Sequence, residues 1–264
     1  MDDALIAKWR EALFSTTDWQ LDTQKSPAAG ALSGVWLKAC ADAPFGAYLK
    51  PTTYPCLFPA AAKEKIAADL AYDVGVSVAP VLIYESRCRF GAVQNECCVS
   101  LVTHAETQAW QLLWTDAMQN SPVGATIRAA VAGRVSALFV FDIWIDNRDR
   151  NNGGNVVFGE DRAFPSRSGF VGLDHSSSMG VRNSWANDGW EVMTLPPFPD
   201  ELRRALDKSV MLQIAERIEA LPGDSVLKCI DRIPEAYLGD DRNDIVNGLL
   251  ARKNEVRAFV LQNI

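Results

Sequence analysis

An apolar run, Ala137–Ile145, empties into Asp146-Asn147-Arg148-Asp149-Arg150-Asn151-Asn152-Gly153-Gly154-Asn155 and then Val156-Val157-Phe158. A second acid follows in a similar setting, Val171-Gly172-Leu173-Asp174-His175. An Asp and an Asn on one loop, with another Asp at the end of a nearby strand, can hold Mg²⁺ on a nucleotide and steer a hydroxyl toward its γ-phosphate. Asp149, Asn155 and Asp174 would supply one base and two metal oxygens, the minimum set for phosphoryl transfer. No other part of the sequence concentrates so many metal-capable oxygens beside so many apolar residues.

Other readings of these residues stand beside that one. The loop could be a polar connector in which Asn, Asp and Gly serve turn geometry. It also approximates a calcium loop, with Asp149, Asn151, Gly154, Val156 and Glu160 at successive key positions. Gly153 offers no side-chain oxygen there, and the exit Val-Val-Phe-Gly-Glu-Asp-Arg-Ala-Phe-Pro is too broken for the following helix. Asp174 by itself could cap a helix or form a turn. An Asp-His-Ser hydrolase built on Asp174, His175 and Ser176–Ser178 is disfavoured, because neighbours on a strand point to opposite faces and no GxSxG elbow is present. No GxxxxGK[ST] occurs either, which excludes a P-loop enzyme.

A lysine completes the set. Lys50 ends the alternating segment Gly46-Ala47-Tyr48-Leu49-Lys50, and Glu64 lies in the helical stretch that follows. Lys50 is either a solvated strand-edge residue or a clamp on α- and β-phosphates held by Glu64. The turn Ala41–Gly46 would then cover the phosphates, with a single glycine.

The elements that must position these residues follow from periodicity. Residues 4–15 have helical spacing. Strand texture runs over Gly34–Cys40, Gly46–Lys50, Val78–Tyr84 and Cys97–Val102, between Pro and Gly punctuation. One helix interrupts them, Pro59–Val74, with Gly75 as its stop. After His104 helical spacing dominates, predicting helices over Glu106–Met118 and Ala125–Ile145. Two short β runs, Asn155–Phe158 and Phe170–Leu173, bracket a polar turn. Helices are then expected over Asp200–Leu221, Ser225–Ile230 and Asn243–Leu261. The texture change places a domain boundary between residues 103 and 104. A small mixed lobe over 1–103 precedes a larger helical lobe over 104–264, with a cleft between them.

The chain as a whole is 264 residues, 48% hydrophobic and 22% charged, an ordinary globular composition. Its net charge of −7 argues against broad binding of DNA or RNA, which relies on neutralising phosphates. The amino terminus lacks the basic and long apolar regions of a secretory signal, and no stretch has the length of a membrane helix. Six cysteines without CxxC spacing read as reduced and mostly buried, so a cytoplasmic protein is expected. Two histidines are too few for a histidine-rich zinc site.

Asn147-Arg148-Asp149-Arg150-Asn151-Asn152-Gly153-Gly154-Asn155 resembles the catalytic loop of HipA-like kinases, N-x-D-R-x-x-x-N, and more distantly that of phosphatidylinositol kinases. Leu173-Asp174-His175 looks like their metal-binding I-D-H-G or I-D-F-G segment. Tyr48-Leu49-Lys50, Glu64 and Gly75-Val76-Ser77-Val78-Ala79-Pro80 are similar to the family's strand-lysine, helix-glutamate and following stretch. Ile233-Pro234-Glu235-Ala236-Tyr237-Leu238 and Leu250-Ala251-Arg252-Lys253 resemble its closing helices. The likeness covers roughly residues 34–260, and its blocks occur in the family's order.

The resemblance implies an α+β, two-lobed protein-kinase-like fold: a small antiparallel-sheet lobe with one helix, then a larger, mostly helical lobe. It implies binding of ATP and Mg²⁺, with Asp149 as catalytic base and Asn155 and Asp174 on the metal. Lys50 would contact phosphates, Glu64 would fix Lys50, and adenine would be met near Glu96–Ser100, at Glu96 and Cys98. The chain departs from the pattern in three places. The interval from Asp149 to Asn155 is one residue longer, which leaves Asn151 or Asn152 as alternative ligands; Ser176 stands where glycine is usual; the phosphate-covering turn is not glycine-rich. The resulting expectation is a phosphotransferase acting on protein Ser/Thr. The rivals are a kinase-like binding module and a kinase for a small molecule. The resemblance also brings a weak expectation of an antitoxin-like partner, and no membrane partner.

Overall fold

The computed structural model describes residues 19–24, 35–39, 46–51, 59–84, 97–102, 104–109, 122–151, 155–161, 169–180 and 192–264. The helix expected over 4–15, most of the turn at 41–46, Glu96 and Asn152 lie outside the described residues.

The strand-like first part forms one antiparallel sheet. Strands β1 (Trp19–Leu21), β2 (Val35–Ala39), β3 (Gly46–Pro51), β4 (Val81–Tyr84) and β5 (Cys97–Val102) take the order β1-β2-β3-β5-β4. In β3, consecutive residues Leu49 and Lys50 are both buried, so this central strand is covered on both faces. Helix α1 (Ala60–Val74) lies across the sheet and ends at Gly75, whose φ of 77° is the left-handed cap that glycine adopts without strain. Its alanines, Ile66, Leu70 and Val74 are buried, as is Glu64. A helix with so little exposed surface is held from several sides rather than riding on one face.

The chain passes from this sheet at Val102 to a second, three-stranded antiparallel sheet that begins at His104. Strands β6 (His104–Ala109), β7 (Val156–Asp161) and β8 (Gly169–Gly172) pair in that order. Here the structure corrects the sequence reading, since Glu106–Ala109 belongs to a strand, not to the start of a helix. The ladder shifts register between Ala105 and Gln108. Such an irregularity breaks the period-two alternation by which strands are recognised, and the partner strand lies far along the chain.

Helix α2 (Pro122–Ile145) is the apolar spine of the larger part. Val131, Val135, Leu138–Phe141 and Ile143–Ile145 are all buried. Against it pack α4 (Lys208–Ala220) and α7 (Arg242–Asn263), and α3 (Asp200–Arg203), α5 (Gly223–Asp231) and α6 (Glu235–Leu238) complete the helical part. The single helix expected over Asp200–Leu221 is broken. Asp207 accepts hydrogen bonds from the backbone N–H groups of Ser209 and Val210 and so starts a new helix at Lys208. One continuous apolar core joins α1, α2, α4, α5 and α7. Trp144 donates its indole N–H to the Leu249 carbonyl at 3.0 Å, and Phe139 meets Phe198 edge-to-face with centroids 5.1 Å apart.

Two connections between these parts fix the site. After α1 the chain runs beside β8: Gly172 donates to the Ser77 carbonyl and Ala79 donates to the Gly172 carbonyl, both at 3.0 Å. A Cβ at Gly172 would stand 2.7 Å from Leu138 Cδ1, so any larger residue here would force the Leu138 side chain to move. The stitch sets α1 and its Glu64 at a defined place relative to Asp174, two residues beyond Gly172.

Candidate active site

The loop entry is built by the end of α2. Asp146 adopts φ 54°, and Asn147 N–H closes back on the Asp142 carbonyl at 2.9 Å, a left-handed helix termination with Asp in place of the usual glycine. Buried Arg252 reaches in from α7. Its guanidinium donates to the carbonyls of Ile143 at 2.6 Å and Trp144 at 3.0 Å and pairs with Asp146 at 3.3 Å. A cation on the last carbonyls of a helix complements its negative end.

The loop itself is held from below by Arg150, whose side chain is wholly buried. Nε and Nη2 grip the two oxygens of Asp142 at 2.7 and 3.0 Å. Nη1 donates to the carbonyls of Asn155 at 2.6 Å and Leu173 at 2.5 Å. One guanidinium thus ties the loop to the strand end that carries Asp174, using the fork of donors that only arginine offers. A backbone bond from Leu173 N–H to the Asn155 carbonyl at 2.8 Å closes the same seam.

Asp149 and Asn155 meet within this frame. The Asn155 amide donates through Nδ2 to the Asp149 carbonyl at 2.8 Å and to its Oδ2 at 3.2 Å. Because amide N and O lie on opposite sides of the group, Oδ1 of Asn155 faces away from Asp149. Burial and the nearby Asp174 charge push the Asp149 carboxyl above its ordinary pKa, against the pull of Asn155 and Arg150. Asn151 is exposed, whereas Asn155 is buried against Asp149.

Across the site, Lys50 Nζ lies 2.5 Å from Glu64 Oε1 and 3.1 Å from Asp174 Oδ1. Burial alone would lower the lysine pKa, but the two carboxylates outweigh it and hold the ammonium charged, above its ordinary value. Burial likewise favours protonation of Glu64, yet Lys50 and His175 keep it well below the usual carboxylate range. Asp174 takes φ 54°, a left-handed conformation that a short polar side chain tolerates. Ser176 holds its carboxylate in that pose, with Oγ at 2.6 Å and the backbone N–H at 3.3 Å, both on Oδ1.

Five of the seven residues singled out from sequence therefore converge: Lys50, Glu64, Asp149, Asn155 and Asp174. Glu96 is outside the described residues. Cys98 is the second residue of β5, opposite Lys50 and Ile83 on the two neighbouring strands, and its side chain is buried. Sequence reasoning assigned no task to Asp142, Arg150 or Arg252, and met Ser176 only in a disfavoured hydrolase and as a departure from the family pattern. Asp142 carried a signal, since a charge inside the apolar run Ala137–Ile145 must find a partner.

The donor set suits magnesium. The Asp174 carboxylate and the Asn155 amide oxygen are hard ligands, and Mg²⁺ on a nucleotide needs only one or two carboxylates beside phosphate oxygens. Among the described residues no group of three or more His, Cys, Asp or Glu could hold a metal ion by itself. None of the described helices is long and apolar enough to cross a membrane.

No family model matches the sequence, and neither does any curated protein. Solved structures do match in shape. The Helicobacter pylori proinflammatory kinase CtkA is 13% identical and superposes with a TM-score of 0.63, over 94% of this chain and 98% of its own. HipA of Shewanella oneidensis, in complex with HipB and operator DNA, gives 0.47 at 14% identity, over 97% of this chain and 72% of its own. WaaP in complex with acyl carrier protein gives 0.40 at 15% identity, over 95% and 91%. The fold is kinase-like: a small antiparallel sheet with one helix, followed by a mostly helical remainder.

Proposed function

We propose that this chain is an ATP- and Mg²⁺-dependent phosphotransferase acting on a hydroxyl, that of a protein Ser or Thr. The observation that carries the reading is the convergence of Lys50, Glu64 and Asp174 from β3, α1 and the end of β8, with the Asp149–Asn155 pair on the adjoining loop. A strand lysine paired to a helix glutamate, beside a metal-binding aspartate, is the arrangement kinases require in the active state. The kinase-like fold supports it. The choice of a protein acceptor rests on the sequence resemblance to HipA-like kinases.

Each residue then has a task. Lys50, aimed by Glu64, exchanges its contact with Asp174 for phosphate oxygens. Asp174 and the outward Oδ1 of Asn155 would hold Mg²⁺, which neutralises phosphate charge when bound. Asp149 accepts the hydrogen bond of the acceptor hydroxyl and takes its proton as the new P–O bond forms and the bond to ADP breaks. Catalysis of this kind is mainly positioning and electrostatics, which is what the buried arginines secure. The two lobes would divide at 103, and the adenine would be met near Glu96–Ser100, as the resemblance implies.

The test is nucleotide binding by thermal shift and calorimetry, with and without Mg²⁺, on the wild type, Asp174→Asn and Lys50→Met. Mg²⁺-dependent binding of ATP, weakened in both variants, is expected. A wild type indifferent to ATP and Mg²⁺ would contradict the reading and favour a kinase-like module that engages a partner without chemistry.

A further inference from the structure

His175 follows Asp174, is buried, and has no task in the phosphotransferase reading. Its ring lies edge-to-face against Phe141, with centroids 6.1 Å apart. Nε2 stands 3.0 Å from Arg150 Nη2, and Nδ1 stands 3.7 Å from Glu64 Oε2. A guanidinium has only donors, so a hydrogen bond with it requires a lone pair on Nε2. The single ring hydrogen of a neutral imidazole must then sit on Nδ1, pointed at the Glu64 carboxylate.

We propose that His175, with Nε2 accepting from Arg150 and Nδ1 facing Glu64, is a positioning residue that joins the Asp149 loop to the Glu64–Lys50 pair; its kinetic consequence rests on the phosphotransferase reading. The imidazole closes an unbroken series of contacts: Asp142, Arg150, His175, Glu64, Lys50, Asp174. At one end, Arg150 holds the Asn155 carbonyl and so the loop that orients Asp149. At the other, Glu64 aims the lysine. An imidazole has an acceptor on one edge and a donor on the other, so it can face a cation and an anion at once. A phenyl ring of similar size can do neither.

Two substitutions separate the two edges. Gln at 175 can place its amide oxygen near the Nε2 position and keep the Arg150 bond while losing the Glu64 contact. Asn can place its amide N–H near the Nδ1 position and keep the Glu64 contact while losing Arg150. His175→Gln is expected to raise KM for ATP more than it lowers kcat, and His175→Asn to do the reverse. His175→Phe should lose on both counts, by about 10-fold or more, the size usual for an orienting partner.

The tautomer is read directly, without nucleotide or turnover, from the imidazole ¹⁵N spectrum of the full chain. Only His104 and His175 contribute, and His104→Gln assigns them. A ring with its hydrogen on Nδ1 and a free lone pair on Nε2 supports the proposal. A hydrogen on Nε2 overturns it, as does a folded His175→Phe variant with unchanged KM and kcat. If the wild type transfers no phosphate although the Nδ1–H tautomer is present, the phosphotransferase reading fails and the linkage stands on the spectrum alone.

Discussion

Lys50, on a strand of the five-stranded sheet, and Asp174, just past a strand of the three-stranded sheet, meet at 3.1 Å. Residues far apart in sequence are brought to one point by the stitch of residues 77–79 onto Gly172. Each partner is held by another group as well, Lys50 by Glu64 and Asp174 by Ser176. In the phosphotransferase reading, their charges would therefore stay oriented when phosphate and metal come between them.

The Lys50–Glu64 pair is buried, and removing one partner strands a charge. Lys50→Met should cost about 3–5 kcal/mol of stability in denaturant melts, and Lys50→Met with Glu64→Leu should recover most of it without restoring nucleotide binding. Glu64 has its pKa lowered on folding, so its contribution is complete above the unfolded value, about 4.3, and is lost as pH falls through the folded one. Lys50 has its pKa raised, so its contribution is complete below about 10.4 and is lost as pH rises through the folded value. The stability gap between the wild type and the double variant should stay level from about pH 5 to pH 10 and narrow on the acid side.

Gly172→Ala should lower stability by about 1–3 kcal/mol, because the new methyl meets Leu138 in a packed core. The same shift displaces Asp174, so Mg²⁺-dependent nucleotide binding should weaken beyond what the lower melting temperature explains.

Asn155→Ala should abolish the Mg²⁺ dependence of nucleotide binding, whereas Asn151→Ala at an exposed site should bind like the wild type. Calorimetry across a Mg²⁺ series distinguishes them, and the opposite ranking would move the ligand to Asn151.

Burial pushes the Cys229 thiol up to about 12, and burial raises that of Cys98 well above its ordinary value. Alkylation at pH 8 with peptide-resolved mass spectrometry should leave both unmodified in the native state and label them on unfolding, since only the thiolate reacts.

Much of this was legible in the sequence, for local reasons. Gly75 marked the end of α1 because a left-handed cap asks for glycine. The strands before residue 103 carried β-rich runs between Pro and Gly breaks. The spacing of carboxylates and amides in 146–155 marked the loop by its chemistry. What was not legible depended on distant partners. The strand over Glu106–Ala109 exists because β7 pairs with it, and its register shift hid the alternation. The break before Lys208 turned on one aspartate accepting two backbone N–H groups. Arg150 and Arg252 fell inside matched blocks but carried no task there, because only folding shows which carbonyls they hold.

The most direct test of the phosphotransferase reading is label transfer from γ-labelled ATP with Mg²⁺, to the protein itself, to water and to a lysate, comparing the wild type with Asp149→Asn. Asp149 hydrogen-bonds to Asn155, while Lys50 pairs with Glu64 and Asp174, so the variant should fold and bind nucleotide. Transfer by the wild type, reduced at least about 100-fold in the variant, is the expected result. Equal transfer by both proteins, or none by a wild type at saturating ATP and Mg²⁺, would contradict it.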